Sequence, residues 1–327
     1  MLPVRVFLTM KRVMVWIAKI FLPLVALGLV AWWYLYTQDF SDYFQERRGL
    51  AFTVEEEEAE EDSLFRKSWV RLQTPEGFSV LAGVLAPHRD ASVDSTSGRR
   101  YPAIIVLGGK ATGRYAVDYA LDIRNVVLVA PDYPYEPRIS YTIPEFLWDV
   151  PAIRGAIVDM VPSVMLIMDY LARRADVDTA RIVLLGYSFG APFVPVIMAH
   201  DRRPAVAAMV YGGGDLTSLI GHNVARFEGE RVGSFVGWLS GLLLRPLEPL
   251  RFVDRIAPTP LVMINGTEDE QVPRANTMLL YEAAREPKKL IWIESRHVHP
   301  RNIELTRRII ATLRSELIGL RVLPRSP

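Results

Sequence analysis

The sequence holds a serine between two glycines, Gly186-Tyr187-Ser188-Phe189-Gly190, after the apolar run Arg181-Ile-Val-Leu-Leu185 and before helix-compatible residues. G-x-S-x-G in that setting reads as a nucleophile elbow, a sharp turn that lifts the serine Oγ out of a sheet toward a base and a substrate carbonyl. The turn is too tight for side chains two residues before and after the serine, so glycine stands at both places. A serine hydroxyl is a weak nucleophile at neutral pH. It needs a base within hydrogen-bond reach, and the base needs an orienting carboxylate. There are five histidines. His88 lies in an early loop, His200 near a helix end and His222 inside an apolar insertion, whereas His297 and His299 follow the last strand-like run. His297 comes first after that run and is the expected base, with His299 as the alternative. Asp269, just past the run ending at Asn265, is the expected carboxylate; spacing leaves Glu268, Glu270 and Asp215 as alternatives.

These residues need a frame that brings strand ends together. Ala103-Ile-Ile-Val-Leu107, Asn125-Val-Val-Leu-Val-Ala130, Arg181–Leu185, Val206-Ala-Ala-Met-Val-Tyr211, Pro260-Leu-Val-Met-Ile-Asn265 and Lys289-Leu-Ile-Trp-Ile293 are short apolar runs. Such runs suit strands buried on both faces. Ser68–Thr74 and Phe78–Ala86, separated by Pro75-Glu-Gly77, predict an antiparallel hairpin. Helical spacing covers Ile153–Arg174, with Pro162 predicting a kink or a start just before it, and Asn302–Leu320 closes the chain. Tyr133–Pro151 is expected to be a loop with a short helix around Phe146. The predicted class is α/β: a mostly parallel sheet with helices on both faces. Ligands on such sheets sit at the carboxyl ends of the strands, where Gly108-Gly109, Ser188, Gly212–Asp215, Asp269 and His297 fall. Residues 216–256 interrupt the alternation and are expected to form a helical cap over the site.

Val13–Tyr36 is almost wholly apolar, with Lys19 near its start and Trp32, Trp33, Tyr34 and Tyr36 at its far end. About 20 residues cross a bilayer core, so this segment is long enough for an anchor. Arg5, Lys11 and Arg12 before it and Asp39 and Asp42 after it place the N-terminus in the cytoplasm and the remainder outside. A signal peptide cleaved near Ala26-Leu-Gly28 and a buried core helix are the alternatives. Glu55–Glu58, Glu60, Glu61 and Asp62 repel one another and predict a solvated linker. The expected organisation is an anchor over 1–38, a linker over 39–66 and one catalytic domain over 67–323. The net charge of +1 offers no field for nucleic acid, and the lack of cysteine excludes disulfides and thiolate ligands. No metal or cofactor motif is present.

Pro131-Asp-Tyr133, Asp176-Val-Asp-Thr-Ala-Arg-Ile-Val-Leu-Leu-Gly-Tyr-Ser-Phe-Gly-Ala191, Gly266-Thr-Glu-Asp-Glu-Gln-Val-Pro273 and His297-Val-His-Pro300 together resemble the α/β-hydrolase superfamily. The similarity is greatest to its dienelactone-hydrolase-like and prolyl-oligopeptidase-like branches and covers roughly Trp69–Leu320. The order Ser188, Asp269, His297 is that superfamily's order. The resemblance implies Ser188 as nucleophile, Asp269 as orienting acid and His297 as base. It implies an oxyanion hole of two backbone N–H groups, one from Phe189 and one after the first parallel strand. Members often carry His-Gly at the second place; this chain has Gly108-Gly109-Lys110, so the donor is Lys110 N–H or else Gly109 N–H. Gly109 and Tyr187 are expected to touch substrate. The implied activity is a membrane-anchored serine hydrolase acting on a small or lipid-like carboxylic ester or thioester, without cofactor. A serine peptidase of the same fold and a noncatalytic scaffold are the alternatives.

Overall fold

A computed structural model describes residues 4–61, 65–88, 100–109, 112–120, 125–135, 143–299 and 301–325. The chain divides into two compact units, one ending at Asp39 and one beginning at Phe40. In the first, helix α1 (Val4–Thr37) runs unbroken through Pro23, and Trp32 stacks on Tyr36 at 5.0 Å.

The second unit is built on a sheet that has nine strands among the described residues: β1 (Thr53–Glu61), β2 (Phe65–Gln73), β3 (Ser79–Pro87), β4 (Tyr101–Leu107), β5 (Val127–Pro131), β6 (Val177–Tyr187), β7 (Val206–Val210), β8 (Leu261–Gly266) and β9 (Lys288–Ile293). They lie in the order β1-β2-β3-β5-β4-β6-β7-β8-β9. The first four in that order pair antiparallel, including the expected hairpin β2–β3; from β5 onward every pairing is parallel. The helices are α2 (Ser41–Arg48), α3 (Ile143–Arg173), α4 (Phe193–His200), α5 (Leu216–Glu228), α6 (Glu230–Leu243), α7 (Arg274–Ala283) and α8 (Ile303–Gly319).

Period-two alternation divides each central strand between two cores. Ala103, Ile105 and Leu107 pack in one layer with residues of α3 and α4, whereas Ile104 and Val106 pack in the other with Ile309 and Leu313 of α8. β4 is flanked by β5 on one side and β6 on the other, so the chain leaves it in opposite directions. The crevice at the carboxyl ends of β4 and β6 is the topological switch point, where α/β sheets hold ligands.

Two expectations need correction. The first is the linker. Residues 39–66 are largely structured: α2 docks on α3 through buried Phe44, Arg48 Nε donating to Asp169 at 2.5 Å and Tyr43 Oη donating to Asp159 at 2.5 Å. The glutamate run is edge strand β1, in register with a basic neighbour: Glu55 faces Arg71, Glu60 faces Lys67 and Glu61 faces Arg66. Ser68 Oγ donates to Glu56 at 2.6 Å. Like charges along a strand alternate between faces, and Glu55 and Glu56 find the cross-strand cations Arg71 and Arg66, which the composition of the run alone does not reveal. A charged edge strand with an irregularity between Glu58 and Glu60 also resists pairing with other chains.

The second correction is α3. It starts at Ile143, inside the expected loop, and runs through both Pro151 and Pro162. Pro162 has no N–H for the carbonyl one turn back, yet Met160, Val161, Val164, Met165, Leu166, Ile167 and Met168 are all buried there. Burial on every side holds the helix past a residue that ordinarily ends one.

Candidate active site

β6 delivers Ser188 at its carboxyl end, and a 3₁₀ turn, Ser188–Gly190, leads into α4. Ser188 has φ +49°, a left-handed conformation that a non-glycine residue holds only where its surroundings impose it. The glycines meet backbone at close range. A Cβ on Gly186 would lie 2.6 Å from the Gly190 carbonyl oxygen, and one on Gly190 would lie 2.1 Å from the Leu107 carbonyl oxygen. Gly190→Ala is therefore expected to destabilise the fold by about 3 kcal/mol or more, the upper range of overpacking, because rigid β4 backbone cannot yield. The midpoint of urea unfolding measures it; a wild-type midpoint would show that the turn relaxes.

The loops after β8 and β9 bring the remaining groups. His297 Nε2 lies 2.7 Å from Ser188 Oγ, and His297 Nδ1 lies 2.9 Å from each carboxylate oxygen of Asp269. The His297 and Asp269 side chains are 5% and 1% exposed, so this ion–dipole contact is shielded from water. An ionised carboxylate has no proton to give. The proton between them therefore sits on Nδ1, leaving Nε2 to accept from the serine hydroxyl. Asp269 Oδ1 also accepts the backbone N–H groups of Gln271 at 2.8 Å and Val272 at 2.9 Å, which fix its carboxylate plane.

The alternative residues lie in other roles. Glu270 accepts the His297 backbone N–H at 3.2 Å and pairs with Arg296 at 3.5 Å. Burial raises its carboxyl pKa, but hydrogen bonds from backbone N–H groups and the Arg296 charge outweigh this and hold it below the usual range. Asp215 caps α5 by accepting Ser218 N–H at 3.1 Å. Glu268 is exposed, and exposed His299 accepts the Arg301 N–H at 3.2 Å.

The backbone near the serine is also arranged. Leu107 pairs with Gly186, so Gly108 and Gly109 run alongside Tyr187 and Ser188. Tyr133 Oη donates to the Gly108 carbonyl at 2.5 Å, which turns the Gly109 N–H, trans across that peptide, the opposite way. Thr112 Oγ1 donates to the Gly109 carbonyl at 2.8 Å. Lys110 lies outside the described residues, so Gly109 is the described candidate for a second oxyanion donor beside Phe189.

Two supporting residues, Tyr133 and Tyr211, were given no role at the site by the sequence. Tyr133 packs edge-on to Phe189 at 5.1 Å besides holding Gly108. Tyr211, fully buried with φ +55°, meets the His297 ring edge to face at 5.4 Å, and its hydroxyl hydrogen-bonds Ser295 Oγ. Burial raises the pKa of both phenols, so they remain neutral hydrogen-bonding groups. The expected cap is the helical hairpin α5–α6. His222 Nε2 donates to the Glu270 carbonyl at 3.0 Å and Asn223 Nδ2 to the Gln271 carbonyl at 2.7 Å, tying α5 to the acid loop.

Ser188 and His297 open into a cavity of about 900 Å³, which Gly109 and Tyr187 also line. α5 contributes Leu216, Leu219, Ile220, Val224 and Phe227 to its wall, one apolar stripe at helical spacing.

Residues 158–298 match the prolyl oligopeptidase family. Acetyl xylan esterase 1 from Thermoanaerobacterium superposes with a TM-score of 0.62 at 15% identity, over 84% of this chain and 94% of that one. The chain has the α/β-hydrolase fold. A puromycin-hydrolyzing peptidase of Mycobacterium tuberculosis shares the fold with a TM-score of 0.60 and 22% identity, over 80% of this chain and 40% of that one. Among curated proteins, YfhR of Salmonella typhi, itself uncharacterised, is 30% identical over 127 residues, 38% of this chain and 43% of that protein. The α/β-hydrolase domain-containing protein WAV2 of Arabidopsis thaliana is 29% identical over 147 residues, 42% of this chain and 45% of that protein. The chain thus spans less than half the length of these curated relatives.

Proposed function

We propose that the chain is a serine hydrolase that cleaves carboxylic esters or thioesters through an acyl-enzyme. The carrying observation is the continuous relay of 2.7 Å from Ser188 Oγ to His297 Nε2 and 2.9 Å from His297 Nδ1 to buried Asp269. Ser188 Oγ attacks the carbonyl carbon while its proton passes to His297 Nε2. Asp269 stabilises the imidazolium, and the Phe189 and Gly109 N–H groups face the charge that develops on the carbonyl oxygen. His297 then gives its proton to the departing alcohol or thiol. A water, deprotonated by His297, cleaves the acyl–Ser188 bond and releases the acid. A fluorophosphonate probe is expected to label the folded protein at Ser188 alone; an unlabelled folded protein returns the noncatalytic scaffold to consideration.

An ester is favoured over a peptide because α5 lines the cavity mainly with apolar side chains, Asn223 and Glu228 being the exceptions. A peptide needs partners for its flanking N–H and C=O groups. With p-nitrophenyl esters, kcat/KM is expected to rise about fourfold per added acyl methylene, from about 0.8 kcal/mol of burial each, until the cavity fills. A flat series from acetyl to octanoyl contradicts that use of the cavity. The second reading, a peptidase, draws on the prolyl oligopeptidase match and the puromycin-hydrolyzing neighbour. Aminoacyl p-nitroanilides turned over faster than the matching esters would establish it.

The same proposal includes a membrane tether. The described residues of α1 from Phe21 to Thr37 carry no charge, and aromatic side chains gather at the far end, as at a bilayer interface. Arg5, Lys11 and Arg12 before the apolar stretch Val13–Tyr36 and the acids after it favour a domain outside the cytoplasm.

A further inference from the structure

The α5–α6 hairpin is packed inside out for a protein in water. Gly233, Gly237 and Gly241 recur every fourth residue on α6 and meet α5 at close range. A Cβ on Gly233 would lie 2.6 Å from the Gly221 carbonyl oxygen, and one on Gly237 would lie 2.5 Å from that of Thr217. The large apolar residues lie outside: Phe227 is 80% exposed, Phe235 61%, Trp238 52% and Val232 45%. No charged residue occurs between Val232 and Leu244. A helix in water buries its large side chains; small residues at the helix contact and large apolar ones outside are the arrangement of helices surrounded by hydrocarbon.

Two further observations select lipid as the occupant. Phe227 both lines the active-site cavity and is 80% exposed, so the cavity rim itself presents apolar surface to the outside. Only Gln38 and Asp39 separate the end of α1 from the domain unit, so a tether through α1 keeps the domain at a bilayer surface. At 14 residues α6 is too short to span, which leaves an interfacial position.

We propose that the outer face of the α5–α6 hairpin seats in the interfacial layer of a lipid bilayer, with Phe227, Phe235 and Trp238 among the acyl chains. The cavity mouth then opens toward lipid, and an ester enters from the membrane side. The inference rests on the tether reading for proximity and on the hydrolase reading for its effect on turnover. The turn from Arg226 to Arg231 carries two arginines and two glutamates, so attachment is apolar and needs no anionic lipid.

The chain lacks cysteine, so single-cysteine variants take an environment-sensitive NBD label at one position. In the full chain reconstituted into phosphatidylcholine vesicles, labels at Phe235→Cys and Trp238→Cys are expected to shift to the blue and be quenched by nitroxide lipids, including at high salt. A label at Ser315→Cys, exposed on α8, should do neither. A label at Leu27→Cys reports the tether separately, so its failure is distinguishable from that of the cap. Water-like emission at both 235 and 238 in vesicles overturns the docking, whatever the α1 label shows. So does a shift that needs no lipid and grows with protein concentration, which would identify a second copy as the occupant. The double variant Phe235→Ser, Trp238→Ser should hydrolyse a long-chain ester in vesicles roughly tenfold more slowly because it loses buried apolar area. Its turnover of a soluble acetyl ester should stay near wild type. Equal loss on both substrates rejects lipid-side entry. If the wild type cleaves neither, the hydrolase reading fails and the labels alone decide the docking.

Discussion

Ser188→Ala is expected to lower kcat on a short p-nitrophenyl ester by roughly a millionfold, the scale of removing the nucleophile from a serine relay. The alanine removes the atom placed to attack, since Ser188 Oγ is the hydroxyl that His297 Nε2 reaches at 2.7 Å. What persists is the contribution of backbone N–H groups and the cavity, which leaves a residual rate above the uncatalysed one. Stability should be nearly unchanged. Alanine has the same backbone restriction as serine at φ +49°, the flanking glycines stay, and the lost hydrogen bond is to a group that water can reach through the cavity. Unfolding midpoints within about 0.5 kcal/mol of wild type would place the loss in chemistry rather than folding. A variant that keeps a hundredth of wild-type turnover, with contamination excluded by active-site titration, rejects Ser188 as the nucleophile.

The relation of sequence to structure differs from element to element. The parallel strands were legible because burial on both faces requires uninterrupted apolar runs, and Ala103–Leu107 and Arg181–Leu185 are such runs. The elbow was legible because its geometry restricts two positions to glycine. Strand β1 was not, since the β2 partners of Glu55 and Glu56, Arg71 and Arg66, are identified only by the fold. The extent of α3 was hidden for a related reason: Pro151 and Pro162 are read locally, whereas the burial that carries the helix past them is tertiary.

At the site, residue type and chain order single out the reacting groups but not their supports. Tyr133 and Tyr211 act through hydrogen bonds to Gly108 and Ser295 and through ring contacts with Phe189 and His297. A tyrosine after a strand gives no sign of such a partner. Aromatic walls of this kind exclude water from an imidazole and restrict its ring, which makes the relay rigid without adding a reacting atom.

Asp269→Asn is expected to lower kcat about 10⁴-fold, the effect of reversing the tautomer of the histidine in such a relay, with KM little changed. The reversal follows from the contacts. Asp269 Oδ1 accepts two backbone N–H groups, from Gln271 and Val272, so the asparagine oxygen takes that place and its amide nitrogen faces His297 Nδ1. The amide donates, Nδ1 must accept, and the ring proton moves to Nε2, where it opposes the Ser188 hydroxyl instead of receiving its proton. Asparagine preserves the acid loop, whereas Asp269→Ala removes the acceptor for both backbone groups and is expected to destabilise the loop as well. Glu270→Gln is the control. That carboxylate accepts the His297 backbone N–H at 3.2 Å and does not face the ring, so the variant should stay within about threefold of wild type, in keeping with a contact outside the relay. Nitrogen chemical shifts of His297 report the tautomer directly. An asparagine variant with wild-type turnover, or one still protonated at Nδ1, would show that Asp269 does not set the proton's position.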